Sequence, residues 1–249
     1  MTKNKLAKFA EVHALPNVVE ITFAELQRSP FYLRGDWSRQ FFGNDHPLVL
    51  ELGCGKGEYT VGLAESFPGK NFIGIDIKGA RIWTGATEAH QRGLKNAGFL
   101  RTYVELLPSF FGPEEISEIW ITFPDPQMKK ERKRLTSTKL LSHYGKVMKQ
   151  GGVIHLKTDS NFLFKYTSAL VHLNKFVVEA ETEDLYASDF ADGIMGIKTY
   201  YEQQWLSRGL TIKYLKFIPY YANLVEPELE IEWDEYRSFG RDQRARIVG

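Results

Sequence analysis

The segment LVLELGCGKGEYT, residues 48–60, runs from an apolar strand into a helix-like segment through a turn that contains Gly53, Gly55 and Gly57. Because glycine has no Cβ, such a turn can bend tightly and let a ligand approach its backbone. The dinucleotide-binding spacing G-x-G-x-x-G would require a glycine where Glu58 stands. Glu51 precedes the turn, and its carboxylate would repel a pyrophosphate but attract an amino group or a sulfonium. We therefore expect this turn to bind S-adenosylmethionine.

The apolar segments of the chain alternate with helix-like segments. Besides residues 48–52, short strands are predicted at 71–75, 99–104, 118–123, 153–158, 176–181 and 211–218. Helices are predicted at 58–67, 79–98 and 137–150. This alternation predicts an α/β fold with a Rossmann-like, doubly wound, seven-stranded sheet. We expect one domain over residues 41–249, preceded by an N-terminal extension with a basic tail, residues 1–40.

Composition excludes several classes of protein. The single cysteine, Cys54, rules out a disulfide within the chain, and it is predicted to be a small filler of the glycine turn. No apolar run approaches the roughly 20 residues that span a bilayer, and the first residues do not resemble a signal peptide. We expect a soluble, cytoplasmic protein with no membrane contact and no obligatory protein partner. The six histidines show no metal-ligand spacing, so no metal is predicted.

Three further carboxylates follow predicted strands. Asp76 ends the second strand, Asp125 lies in FPDP after the fourth, and Asp159 ends HLKTD after the next. Because parallel strands end at one edge of a sheet, these residues and Glu51 should face one crevice, where Asp76 could accept the hydroxyls of a ribose. Each carboxylate alone is also typical of a turn or a cap, and Asp159 could be the N-cap of the next helix.

The FPDP motif continues into a basic run, KKERKR at 129–134, although the formal net charge of the chain is only +1. Such runs are usually solvated surface. Beside the predicted crevice, however, its five cations could bind the phosphates of a nucleic-acid substrate. The basic stretches at residues 1–8 and 241–246 are predicted to be ordinary tails, and residues 226–235 are acidic.

The motifs ELGCGKG, IGID, FPDPQMKK, HLKTD and TYYE occur in this order. With them the sequence resembles the bacterial tRNA (guanine-N7)-methyltransferases of the TrmB type over roughly residues 45 to 220. The resemblance implies a class I methyltransferase fold, S-adenosyl-L-methionine as methyl donor, tRNA as partner, and N7 of a variable-loop guanine as acceptor.

The resemblance also implies roles for individual residues. Glu51, Asp76 and Asp125 would contact S-adenosylmethionine. The residues that would contact the tRNA guanosine are Lys129, Asp159, Thr199, Tyr200, Tyr201 and Glu202. The chain departs from the family at Gln127, where a tryptophan is usual, and its basic run is about two residues shorter. Tyr103 stands where the family often has an acidic residue near the adenine, and Glu105 is a possible substitute.

Guanine N7 carries no proton, so its methylation requires alignment with the methyl donor and no general base. Asp125 is the predicted catalytic residue, because it would lie between the cofactor and the guanine and could stabilise developing positive charge. Three alternatives remain open from the residues alone. They are an NAD-dependent oxidoreductase, a non-catalytic RNA-binding module, and a methyltransferase for another nucleic acid or a small-molecule amine.

Overall fold

The computed structural model describes residues 5–191 and 193–235. Its strands are β1 (Val18–Glu20), β2 (Leu48–Leu52), β3 (Asn71–Asp76), β4 (Ala97–Arg101), β5 (Ile116–Thr122), β6 (Met148–Thr158), β7 (Val177–Thr182) and β8 (Lys213–Ile218). Its α-helices are α1 (Lys5–Val12), α2 (Phe23–Arg28), α3 (Trp37–Gln40), α4 (Glu58–Ser66), α5 (Gly79–Gln91), α6 (Leu107–Phe110), α7 (Thr138–Tyr144), α8 (Asn161–Leu173) and α9 (Tyr200–Leu206). None of these helices is long and apolar enough to cross a bilayer.

The strands form one sheet in the order β1-β4-β3-β2-β5-β6-β8-β7. Strands β1 to β6 pair in parallel, whereas β8 is antiparallel to both β6 and β7. Strand β2 pairs with β3 on one side and with β5 on the other, so the chain reverses its winding direction at β2. Ligands of doubly wound sheets bind at the carboxyl ends of the strands at this reversal. The predicted α/β fold class is confirmed.

Strand β2 is buried on both faces, as its mostly apolar sequence LVLEL predicts. Successive side chains of a strand point to opposite faces, and the packing follows that period of two. Leu48, Leu50 and Leu52 join one core cluster, while Val49 joins the cluster on the other face. The rigid centre of the sheet therefore holds the start of the glycine turn.

The sheet has eight strands, so the prediction of seven is corrected by one edge strand, β1. Val18–Glu20 pairs in parallel with Phe99–Arg101 of β4, and the Arg101 guanidinium forms a 3.0 Å ion pair with Glu20. Helix α1 packs on α5, where the Trp83 indole donates a 3.0 Å hydrogen bond to Glu11. The described part of the predicted N-terminal extension thus contributes a strand to the sheet. Residues 1–4 and the basic stretch at 241–246 lie outside the described residues.

Two predicted helices are too long. Helix α5 ends at Gln91 because Gly93 adopts φ of +67°, and the Leu94 amide closes the helix by donating to the Ala89 carbonyl. Helix α7 ends at Tyr144, and the residues predicted to continue it begin β6, whose Met148 pairs with Ile116 of β5. A glycine C-cap motif therefore ends α5, whereas pairing with β5 overrides the helical pattern after α7.

Candidate active site

The glycine turn lies at the carboxyl end of β2. The φ angles are +72° at Gly53, +57° at Gly55 and +73° at Gly57, so all three positions need the left-handed region that glycine tolerates. A Cβ on Gly57 would lie 2.6 Å from the Phe99 ring, whereas a Cβ on Gly55 would meet nothing closer than 3.9 Å. Gly57 is therefore required for packing, and Gly55 leaves the outer side of the turn open for a ligand.

Asp76 ends β3 and holds the turn from the next strand. Its carboxylate accepts hydrogen bonds from the Gly55 amide at 3.0 Å and from the Lys78 amide at 2.8 Å. Each carboxylate oxygen has a second lone pair, so Asp76 keeps acceptor capacity for ligand hydroxyls. The side chain is half-buried at the sheet edge, as a ribose-binding carboxylate should be.

Glu51 is buried beneath the turn. One carboxylate oxygen accepts from the Thr60 amide at 2.8 Å and from the Thr60 hydroxyl, and the other accepts from the Thr122 hydroxyl at 2.6 Å. Burial raises the pKa of Glu51 to about 7, although these hydrogen bonds act in the opposite direction. A cationic group bound over the turn would favour the ionised form. Glu51 therefore joins β2, β5 and the first turn of α4.

Asp125 lies in a loop with two unusual backbone angles. Phe123 and Gln127 adopt φ of +49° and +48°, which costs a residue with a side chain on the order of 1–3 kcal/mol. Asp125 is exposed between these residues, and its carboxylate accepts from the Gln127 amide at 3.1 Å. Gln127, which occupies the position where the resembling family has tryptophan, thus contributes backbone geometry to the loop. A strained backbone of this kind is common at functional sites.

The basic run at 129–134 follows this loop. Its residues 129–133 are exposed, but Arg134 is buried and stacks on Tyr166 at 4.2 Å from the ring centroid. The Arg134 guanidinium also donates to the Met128 carbonyl at 3.2 Å. The prediction of five cations available to phosphates is therefore wrong by one, because Arg134 anchors the loop from inside.

Asp159 follows β6 at the same sheet edge and is 1% exposed. The Lys213 ammonium donates to the Asp159 carbonyl oxygen at 3.3 Å. The N-cap of α8 is Ser160, whose hydroxyl accepts from the Leu163 amide, so the alternative role of Asp159 as the N-cap is wrong.

The TYYE motif begins α9. Thr199 is its N-cap and forms a capping box with Glu202, while Tyr200 is half exposed. The Tyr200 amide donates to Glu58 at 3.1 Å, and the Lys56 ammonium lies 4.5 Å from the Tyr200 ring centroid. The motif therefore packs against the glycine turn and α4. The side chain of Tyr201 lies outside the part of the chain that the structure describes.

Glu202 is fully buried and forms a 2.8 Å ion pair with Lys157, which is also fully buried. The Lys157 ammonium donates to the carbonyls of Met195 and Ile197 at 2.9 and 3.1 Å. Burial lowers the pKa of Lys157, and the Glu202 carboxylate opposes that shift. Sequence reasoning missed Lys157, although a lysine within the apolar strand VIHLKT was a signal for a buried partner.

Tyr103 follows β4 and is 58% exposed at the same edge, while Glu105 is half-buried in the next short turn. An exposed ring there has the flat surface that an adenine can stack on. No cluster of histidine, cysteine and carboxylate side chains suited to a metal ion occurs in residues 5–191 and 193–235.

A glycine turn at the point where the parallel strands reverse direction, with carboxylates at the ends of β2 and β3, is the arrangement of the class I S-adenosylmethionine-dependent methyltransferases. The crystal structure of the 16S rRNA methyltransferase KamB has this fold. Its TM-score is 0.57 at 14% identity, with 75% of this chain and 95% of that chain covered.

Sequence comparison defines the family more narrowly. The family model Methyltransf_4, described as putative methyltransferase, matches residues 45–215. The tRNA (guanine-N(7)-)-methyltransferase of Bacteroides thetaiotaomicron is 58% identical over 248 residues, which are 99% of this chain and 98% of that protein. The protein of the same name from Porphyromonas gingivalis is 58% identical over 242 residues, 95% of this chain and 99% of its own length. The chain belongs to the tRNA (guanine-N7)-methyltransferase family.

Proposed function

We propose that this protein transfers a methyl group from S-adenosylmethionine to N7 of a variable-loop guanine in tRNA. The observation that carries the proposal is that the candidate residues lie along one edge of the sheet, at the carboxyl ends of its parallel strands. The glycine turn and Asp76 lie beside the Asp125 loop, which leads directly into exposed lysines. Methyl donor and polyanionic substrate can therefore meet at Asp125. A cytoplasmic location and the lack of an obligatory protein partner belong to the same proposal.

The turn fits S-adenosylmethionine, which supplies a methyl group on a positively charged sulfur when bound. Gly55 leaves room for close approach to the backbone, and Asp76 has acceptor capacity for ribose hydroxyls. Glu51 lies beneath the turn, where a bound amino group would favour its ionised, negatively charged form. A pyrophosphate would be repelled there, which together with the family membership disfavours the nicotinamide alternative.

Asp125 is assigned the catalytic position because its loop holds it in one arrangement. The positive φ angles at Phe123 and Gln127 and the fixed φ of Pro124 and Pro126 limit the motion of the carboxylate. A fixed carboxylate can stabilise the positive charge that develops on the purine without reorganising. N7 needs no base, so the remaining task of the site is to hold the acceptor in line and exclude water.

The tRNA is proposed to bind through a local patch, because the net charge of the chain is only +1. The exposed cations of the basic run are Lys129, Lys130, Arg132 and Lys133. Contacts of this kind position a phosphate backbone but do not read bases. The Thr199–Glu202 segment remains a candidate for guanosine contact, and Asp159, which is 1% exposed, would support the guanosine site from within its turn. Since Glu202 is bound to Lys157, its contribution would be to hold that segment in place.

The test is methylation of unmodified tRNA with labelled S-adenosylmethionine, followed by borohydride reduction and aniline cleavage, which breaks the chain at N7-methylguanine. Cleavage at one variable-loop guanine is expected. Asp125→Asn should lower kcat by at least about 100-fold while leaving tRNA binding intact. Labelled tRNA without cleavage would move the acceptor to another atom, and no label would favour the small-molecule or non-catalytic alternatives. Wild-type turnover in Asp125→Asn would contradict the assigned role of Asp125.

A further inference from the structure

The chain continues beyond β8 into an acidic segment, residues 226–235, which we call the C-terminal strap. It lies outside the region matched by the family model, residues 45–215. One end is anchored by Glu226, which accepts from the Thr138 amide at 2.9 Å, the Thr138 hydroxyl at 2.8 Å and the Tyr166 hydroxyl at 2.6 Å. The strap is therefore attached to the start of α7 and to α8 at a defined point.

The other end of the strap is anchored by Asp234, which is 6% exposed. Its carboxylate accepts from the Ser160 hydroxyl and from the Phe162 amide, the latter at 3.1 Å. Ser160 in turn caps the Leu163 amide of α8. The first amides of a helix have no partner within the helix and carry partial positive charge. Asp234 thus supplies, from a distant part of the chain, a charged cap for the first turn of α8.

The capped turn carries Asp159, which directly precedes Ser160. The Lys213 ammonium donates to the carbonyl of Asp159. Burial lowers the pKa of Lys213, whereas the charges of Asp159 and Asp234 act in the opposite direction. The three groups form a buried arrangement of two carboxylates and one cation under the β6–α8 turn. Loss of the Asp234 charge would change both the helix cap and the balance of charge around Asp159.

The same end of the strap contacts the Asp125 side of the site. The Asp234 amide donates to the Met128 sulfur at 3.3 Å, and the neighbouring Trp233 ring lies 5.4 Å from the Lys129 ammonium. Met128 is also the residue whose carbonyl accepts from the buried Arg134 guanidinium. Asp234 is therefore connected to the Asp159 turn by its side chain and, by its backbone, to Met128, which directly precedes the basic run.

We propose that Asp234 is a positioning residue for methyl transfer, which holds the Asp159 turn and the Met128–Lys129 segment in one relative arrangement through the C-terminal strap. This inference rests on the proposed function, because the Asp159 turn and Lys129 belong to the candidate guanosine site. The strap would act at the Asp159 turn and at Lys129. The glycine turn that would bind the methyl donor lies at the end of β2, so binding of the methyl donor should not depend on the strap.

The test compares Asp234→Asn with Glu226→Gln, a matched removal of charge at the far anchor of the strap. Asp234→Asn should lower kcat/KM for tRNA by about 10- to 100-fold, the loss typical of a misplaced substrate, with unchanged affinity for S-adenosylmethionine by calorimetry. Glu226→Gln should keep wild-type kinetics at a temperature where both variants are folded by circular dichroism. Ser160→Ala should reproduce part of the loss of kcat/KM seen in Asp234→Asn. The variant that carries both changes should lose less kcat/KM than the product of the two single fold-losses.

Three outcomes would overturn the inference. Equal losses of kcat/KM in Asp234→Asn and Glu226→Gln would make the strap a general brace of the fold. Wild-type kinetics in Asp234→Asn would show that the cap does not position the site. Higher tRNA affinity in Asp234→Asn would make the strap an acidic competitor of the basic run. An inactive wild-type protein would instead count against the proposed function, so the two failures are distinguishable.

Discussion

The buried ion pair between Lys157 and Glu202 allows a quantitative prediction. The ammonium and the carboxylate are 2.8 Å apart and both side chains are fully buried. Lys157→Met removes the cation, leaves the Glu202 charge buried, and should cost about 3–5 kcal/mol of the free energy of unfolding. A typical domain has about 5–15 kcal/mol in total. For a chain of this size the loss corresponds to a fall in Tm of roughly 6–20 °C.

A double-mutant cycle isolates the pair from the packing around it. Glu202→Gln alone should be costly because Lys157 then lacks its counter-ion, whereas Lys157→Met/Glu202→Gln leaves no unpaired charge. The loss of unfolding free energy in the double variant should therefore be smaller than the sum of the two single losses by at least about 2 kcal/mol. Urea unfolding followed by fluorescence and circular dichroism measures each loss, provided that the slope with urea stays constant.

The exposed ion pair between Arg39 and Asp45, 2.6 Å apart, serves as the control. Arg39→Met should leave the urea midpoint unchanged, since exposed pairs are screened by water. Additive losses in the Lys157 and Glu202 cycle, or a loss below about 1 kcal/mol for Lys157→Met, would refute the reasoning that the pair is buried and mutually required.

Three further predictions concern the turn, the buried acid and the basic run. Gly57→Ala should lower stability and S-adenosylmethionine affinity more than Gly151→Ala, because both glycines have φ near +73° but only Gly57 would bring a Cβ within 2.6 Å of Phe99; equal unfolding midpoints for the two variants would contradict this. The raised pKa of Glu51 means that the folded state favours the protonated acid, so its stabilising effect is complete below pH 4.5 and is lost as pH rises through about 7. That shift is worth about 3 kcal/mol, and urea titrations from pH 4.5 to 8 should show Glu51→Gln gaining that much relative to the wild type; parallel pH profiles would refute it. Lys130→Glu/Lys133→Glu should weaken tRNA binding and reduce the salt slope by about 2, whereas Lys95→Glu, an exposed change at the amino end of β4, should leave the slope unaltered; the same slope in both would argue against the basic run as a phosphate contact.

The central sheet and the glycine turn could be predicted because their signals are local. The five buried residues of β2 appear in the sequence as four leucine and valine residues with only Glu51 among them, and glycines at 53, 55 and 57 stand where positive φ is needed. The ordered carboxylates Glu51, Asp76 and Asp125 follow from the rule that parallel strands end at one edge. Each of these signals is read from a short stretch of the chain.

The features that could not be predicted depend on distant partners. Arg134 looks like the other cations of its run, and only the rings of Phe162 and Tyr166, about 30 residues further on, make it a buried residue. Glu202 looks like a helix-surface acid, yet Lys157 from β6 is its partner. The acidic strap gave no local sign that Asp234 would cap α8. Charge alone does not distinguish a solvated side chain from a buried and paired one.

Strand β1 has a consequence for the order in which the protein folds during synthesis. Val18 pairs with Phe99, so β1 has no place in the sheet until about 80 more residues have been made. At translation rates of roughly 5–20 residues per second, that delay is on the order of 4–16 s. A waiting strand can pair with other nascent chains, and a length of three residues limits this hazard because short strands make poor templates for aggregation. Strand β1 therefore stays unpaired until β4 has been made, and its short length limits mispairing during that interval.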